Sequence, residues 1–128
     1  MKTIGLLGGM SWESTILYYQ LLNEGVRARL GGLHSAKIVM HSVDFAEIER
    51  CQVEGDWELA GNKLASAAVG LQKSGADQLL ICSNLRHKGA PFIEKRINMP
   101  LIHSADAAGQ EIREKGLKKL GLLGARYT

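Results

Sequence analysis

The sequence alternates apolar runs of strand length with segments of helical periodicity, and this alternation is its strongest constraint on the fold. The first run, Thr3 to Leu7, is almost continuously apolar, which is typical of a parallel strand buried on both faces. Gly8-Gly9 ends the run, and Ser11 can cap the helix that follows. A strand and a helix alternate four times in this way before a last strand. The pattern predicts an α/β fold with a doubly wound parallel sheet, four strands plus an added fifth, and helices on both faces.

The remaining elements follow from the same pattern. Further strands are predicted at Lys37–His41, Gln78–Cys82, Leu101–Ile102 and Lys119–Leu123. Helices are predicted from Ser11 to about Leu30, over Trp57–Lys73, over about Lys88–Ile97 and from Ser104 to Lys115, and a loop with a short helix after the second strand runs to Arg50. The longest of the later helices, Trp57–Lys73, should turn Leu64, Ala68 and Leu71 toward the core, with Asp56 as its cap and Gly75 just past its end. Ser104 should cap the last helix.

Composition narrows the classes of function. The net charge of +3 is small and no run of Lys and Arg exceeds two residues, so the sequence does not indicate nucleic-acid binding. No apolar run is long enough to cross a membrane. The two cysteines form no CxxC pair and the four histidines lack metal-binding spacing. We therefore expect a reduced, cytoplasmic protein without a metal site.

Two segments follow strands where parallel α/β sheets bind ligands, at the carboxyl ends. Gly8-Gly9-Met10-Ser11 leads into a helix N-terminus, which favours an anion, but it matches no nucleotide-binding motif and an ordinary tight turn explains it equally well. Residues 81–88 bring a thiol, a hydroxyl, an amide, an imidazole and two cations to a strand end. The structural alternatives are that Cys82 is a small buried hydrophobe and Asn84 a helix cap.

The end of the chain repeats its beginning. Lys2 to Gly9 and Lys118 to Ala125 share five identical residues over eight positions. Either two buried strands that end in glycine look alike, or the chain contains an internal duplication. The duplication predicts a first α/β lobe over residues 1–116 and the first strand of a second lobe over residues 117–128, with the rest of that lobe missing.

Three separated motifs resemble those of the aspartate/glutamate racemase family. They are Gly8-Gly9-Met10-Ser11-Trp12-Glu13-Ser14-Thr15 with Tyr18-Tyr19 and Asn23, then His41-Ser42-Val43-Asp44-Phe45, and then Asn84 with His87. The motifs fall in order on successive predicted strand ends, and the resemblance spans the whole chain. It implies a cofactor-independent racemase of acidic amino acids, made of two pseudo-symmetric lobes with the substrate between them. Each lobe would supply one group that removes or returns the α-proton, a task that suits a thiol.

The chain departs from the family's usual first-lobe motif, Cys-Asn-Thr-x-His. Aligning the Asn and His of that motif puts Ser83 where the family has its catalytic thiol, so the resemblance assigns proton transfer to Ser83, with Cys82 as the alternate. Because one step along a strand reverses the side chain, we expect Cys82 to point into the core. The substrate-binding positions that the resemblance implies are Met10, Gln52, Asn84 and Leu85, the last in place of the family's Thr.

A chain with one lobe carries half of such a site, so we expect weak or no racemase activity from it alone. The alternative is a non-catalytic module that binds an acidic amino acid or another dicarboxylate, or that self-associates. The unpaired edge of a strand at Lys119–Leu123 would favour a homodimer.

Overall fold

The computed structural model describes residues 1–83 and 89–121, and its strands form one parallel sheet. The elements are β1 (Ile4–Gly8), α1 (Trp12–Leu30), β2 (Ile38–Ser42), α2 (Phe45–Val53), α3 (Trp57–Lys73), β3 (Gln78–Ile81), α4 (Ala90–Glu94), β4 (Leu101–Ile102) and α5 (Ser104–Glu114). The strands pair in the order β2-β1-β3-β4. The predicted α/β class and its four-stranded parallel sheet are confirmed.

The strand order creates a crevice at one place on the sheet. The chain leaves β1 for β2 on one side and later returns to β3 on the other side of β1. The connections that follow β1 and β3 therefore diverge, and the gap between the carboxyl ends of these two strands is the place where doubly wound sheets bind ligands.

Successive residues of β1 face helices on opposite sides of the sheet. A Cβ atom at Gly5 would lie 3.5 Å from the Cβ of Leu71 on α3, whereas one at Gly8 would collide with Thr15 on α1. Helices therefore cover both faces, as the alternation predicts.

The two faces are covered to different extents. On the α3 side, Leu64, Ala68 and Leu71 are buried in the core, as predicted from their spacing. On the α1 side, Leu6 is buried, but Met40 and Ile102 in the same row across the sheet are 47% and 38% exposed. The helix α1 thus covers the centre of its face and leaves the edge strands partly open.

Several predicted element ends differ from the observed ones. Ser104 is the first residue of α5, and His103 takes the N-cap position that was predicted for Ser104, because the extended backbone of β4 continues one residue further. The helix predicted over Lys88–Ile97 is short, with Ala90–Glu94 as its described part. Residues 119–121 belong to no strand, and the rest of the predicted fifth strand lies outside the described residues. The lobe boundary at residue 116 stays a prediction. None of the described helices is both long and apolar enough to span a membrane.

Substitution of Gly8 by Ala should destabilise the fold, because the new methyl group would overlap the Thr15 side chain. We expect a loss of about 2 kcal/mol in the free energy of unfolding, measured by urea denaturation. The matched control is Gly70→Ala in α3, where a Cβ meets no atom within 4 Å. Helix propensity predicts that this variant gains about 0.5–1 kcal/mol. Equal unfolding midpoints for the two variants would contradict the packing described for β1 and α1.

Candidate active site

The loop between β1 and α1 packs directly on the chain that follows β2. Gly9 has φ +92°, a conformation that glycine adopts without strain, and a Cβ atom there would lie 2.6 Å from the backbone nitrogen of Val43. The Val43 N–H donates to the Gly8 carbonyl at 3.0 Å. A larger residue at position 9 would therefore separate the ends of β1 and β2.

Thr15 fixes the shape of this loop from inside. Its side chain is buried, and its Oγ1 accepts a hydrogen bond from the Gly9 N–H and donates to the Ser11 carbonyl, each at 3.0 Å. Ser11 is the N-cap of α1 and accepts from the Ser14 N–H at 3.5 Å, as its position before the helix predicts. Because the Gly9 N–H is already bound to Thr15, it is not a donor available to an anion.

The end of β3 is held from two sides. The Cys82 N–H donates to the Leu7 carbonyl of β1 at 2.9 Å, and the Cys82 carbonyl accepts from the Ser14 hydroxyl at 2.7 Å. Cys82 is fully buried, and Ser83 is partly exposed. These bonds join the start of α1 to the segment that carries both candidate proton-transfer groups.

A pocket of about 380 Å³ opens at the crevice between β1 and β3. Its lining residues are Met10, Ser11, Ser14, Tyr18, Phe45, Cys82 and Ser83. They provide a thiol and hydroxyl groups among apolar and aromatic surfaces, and none of these described residues carries a fixed charge. Such a lining is typical of a small-molecule site.

A larger groove of about 580 Å³ lies between α2 and α3, and the ion pair of Lys63 Nζ with Glu47 Oε2, 2.7 Å apart, lies along it. The hydrogen bond from Lys63 lowers the pKa of Glu47. Both groups are solvent-exposed, and pairs of this kind contribute little to stability. We place the candidate site in the smaller pocket, because that pocket contains a nucleophile and lies at the point where the strand order reverses.

The pocket contains some of the predicted site residues and lacks others. Met10, Cys82 and Ser83 line it together. Gln52 is buried in α2, with 6% of its surface exposed, and is not among the lining residues. Its Nε2 atom has no hydrogen-bond partner among the described residues. Asn84 and Leu85 lie outside the described residues.

Sequence reasoning did not single out Ser14, Tyr18 and Phe45, which also line the pocket. All three belong to the segments that carry the family resemblance. Ser14 lies three residues after a helix cap, so its position in the first turn of α1 was readable from the sequence. Its contact with residue 82 was not, because it depends on how α1 packs on the sheet.

The choice between Cys82 and Ser83 does not follow from strand alternation. Cys82 is buried and also lines the pocket, and since β3 ends at Ile81 both residues follow the strand. The alternation rule holds within a strand, so it does not separate these two side chains. Their roles stay predictions.

Burial raises the pKa of the Cys82 thiol from its ordinary value of 9.0 to about 12. The thiolate is the nucleophilic and basic form, and in this chain the thiol is protonated at neutral pH. A positive charge brought close to the sulfur would lower its pKa again.

The family model described as Asp/Glu/Hydantoin racemase matches residues 7–128. The chain belongs to this family. The resemblance predicted from the three motifs is therefore confirmed.

Two solved structures are similar to the chain. One is a candidate Asp/Glu racemase from Yersinia pestis, with 53% sequence identity and a TM-score of 0.95, over 100% of this chain and 56% of that one. The other is an aspartate racemase homologue from Pyrococcus horikoshii OT3, with 29% identity and a TM-score of 0.82, over 91% of this chain and 50% of that one. This chain thus spans about half the length of each.

The buried thiol predicts a loss of stability in alkaline solution. The unfolded chain loses the Cys82 proton near pH 9, whereas the folded chain keeps it up to about pH 12. Between these values the folded state binds the extra proton, so stability falls as pH rises, by up to about 1.4 kcal/mol per pH unit. Urea midpoints from about pH 8 to about pH 11 should fall less steeply for Cys82→Ala than for the unsubstituted chain. Identical slopes for Cys82→Ala and the unsubstituted chain would contradict the burial of Cys82.

Proposed function

We propose that this chain is the first lobe of a racemase-type isomerase that transfers the α-proton of an acidic amino acid without a cofactor. The observation that carries the proposal is the pocket at the β1/β3 crevice, where the glycine loop and the Cys82-Ser83 segment meet. Family membership supports the reaction class. The resemblance, and not the pocket, is the reason for proposing that the substrate carries an acidic side chain.

Within this site, the chemistry favours Cys82 over Ser83 as the proton-transfer group. Both residues line the pocket, but a thiol loses its proton far more readily than an aliphatic hydroxyl does. The ammonium group of a bound amino acid would lower the raised pKa of Cys82 toward the range in which a base is useful. Ser83 then serves as a hydrogen-bond donor to the α-carboxylate, and its donation stabilises the charge that develops when the proton leaves.

Racemisation needs a second group on the opposite face of the α-carbon. The described lining residues offer a thiol from one strand end only. In D₂O, a thiolate on one face takes the α-proton, exchanges it with the solvent and returns a deuteron to the same face, so the configuration of the amino acid is retained. We therefore expect the chain by itself to exchange the α-proton slowly and not to racemise its substrate.

This expectation is tested in D₂O with purified chain and each enantiomer of aspartate and glutamate. NMR follows loss of the α-proton signal, and chiral chromatography follows configuration. We expect slow exchange with retention, a loss of at least about a hundredfold in Cys82→Ala, and a loss of about fivefold in Ser83→Ala. Cys51→Ala is the matched thiol control and should exchange at the original rate. Fast racemisation, or exchange that survives Cys82→Ala, would contradict the proposal.

Gln52 lies outside the lining of the β1/β3 pocket, and it is proposed as a donor to the distal carboxylate of a substrate that extends beyond that lining; its unpaired Nε2 supports this role. A buried amide without a partner costs about 1–3 kcal/mol, so a group that accepts its hydrogen bond would relieve a real deficit. We predict that Gln52→Met, which has a similar volume and no amide, raises the free energy of unfolding by about 1 kcal/mol and weakens glutamate binding. Denaturation and calorimetric titration measure the two effects. Unchanged glutamate affinity would remove Gln52 from the site and leave it a structural residue.

Self-association is a second candidate function, and the surface of α1 favours it. Trp12, Ile16, Leu17 and Leu21 are each more than half exposed. Large apolar side chains grouped on one helix are typical of interaction surfaces. The predicted homodimer stays a prediction that light scattering of the purified chain decides.

A further inference from the structure

The Ser14 hydroxyl makes a contact that a serine in the first turn of a helix does not ordinarily make. It lies 2.9 Å from the Ser11 carbonyl within its own helix, and 2.7 Å from the carbonyl of Cys82, which is 68 residues away in the sequence. The first distance is that of the local contact that serine commonly makes in helices, but the hydroxyl has a single proton, and the shorter distance to Cys82 marks the better acceptor. The second falls in the usual range for a hydroxyl donor and ties α1 to the end of β3.

The contact between Ser14 and Cys82 fixes the chain just beyond β3, where the hydrogen bonds of the sheet end. The Cys82 N–H donates to Leu7, which continues the ladder between β1 and β3 by one bond. The strand itself ends at Ile81. The Cys82 carbonyl is then fixed by the Ser14 hydroxyl, from a different element.

The direction of that carbonyl determines the orientation of the next residue. A trans peptide unit is planar, so the Cys82 C=O and the Ser83 N–H point in opposite directions along one rigid plane. A hydroxyl that holds the carbonyl therefore also fixes the direction of the Ser83 N–H and the position of the Ser83 Cα atom. Ser14, Cys82 and Ser83 all line the same pocket, so this orientation is set inside the site.

We infer that Ser14 is a positioning residue, which holds the peptide between Cys82 and Ser83 in the orientation that presents the thiol and the hydroxyl to an amino-acid substrate. The inference rests on the proposed function for its catalytic meaning. The structural role of Ser14, which is to limit access of solvent to Cys82, is measurable without any turnover.

The test is the rate at which iodoacetamide alkylates Cys82, followed by peptide mass spectrometry. Cys51 is the internal reference, because it is also free and buried and reports opening of the whole fold. Ser14→Val and Ser14→Thr form a pair of equal shape that differs by a methyl and a hydroxyl group, and Ser14→Ala removes the hydroxyl without adding bulk. Ser66→Ala, which removes from α3 a hydroxyl that accepts from Arg96 in the turn after α4, is the control for loss of a helical serine.

We expect the ratio of Cys82 to Cys51 alkylation to rise about fivefold in Ser14→Ala and Ser14→Val, which corresponds to one net hydrogen bond. The ratio should stay unchanged in Ser14→Thr and Ser66→Ala. The pH at which Cys82 alkylation reaches half of its maximum should also fall in the two variants without the hydroxyl, since solvent then reaches the sulfur. If Ser14→Val and Ser14→Thr give the same ratio, the inference is overturned.

Exchange of the α-proton in D₂O separates this inference from the proposed function. If Ser14 positions the site, exchange falls in Ser14→Ala and Ser14→Val and is restored in Ser14→Thr. Equal exchange in Ser14→Val and Ser14→Thr overturns the positioning role. If the unsubstituted chain exchanges no α-proton, the proposed function fails, and the alkylation ratio still decides whether Ser14 holds the Cys82 segment.

Discussion

The close approach of α1 to the end of β1 is the constraint on which the rest of the site depends. Gly8 has no side chain, so Thr15 fits against β1 and its hydroxyl holds Gly9 and Ser11 in place. The same packing brings Ser14 within hydrogen-bond distance of Cys82. One glycine thus allows a contact that shapes the loop after β1 and the segment after β3 together.

This arrangement gives the thiol a stable position and an unreactive state. Burial keeps Cys82 protonated, which suits a site that has no substrate bound. A substrate that carries a positive ammonium group would reverse the effect of burial at the sulfur alone. The charge needed for proton transfer would then come from the molecule that is to be deprotonated, and reactivity would be limited to the bound complex.

The sequence predicted the elements whose signals are local. The helix Trp57–Lys73 was predicted with both of its ends, because Asp56 caps it and Gly75 follows it. That both Cys82 and Ser83 line the pocket after β3 was not predictable, since strand alternation stops where the strand does. Ser104 was assigned to a cap position for a related reason: His103 extends the strand backbone, and a preference for serine at caps cannot detect that. Contacts between distant segments, such as Ser14 with Cys82, depend on packing and leave no short-range signal.

The proposed chemistry depends on an amino acid binding at the β1/β3 crevice. Titration of ¹⁵N-labelled chain with aspartate and glutamate measures this binding residue by residue. We expect the backbone amide signals of Met10, Ser11 and Ser83 to shift with a common dissociation constant, while those of Asn62, Lys63 and Ser66 in the larger groove stay in place. Shifts confined to the larger groove, or no shift with either amino acid, would contradict it.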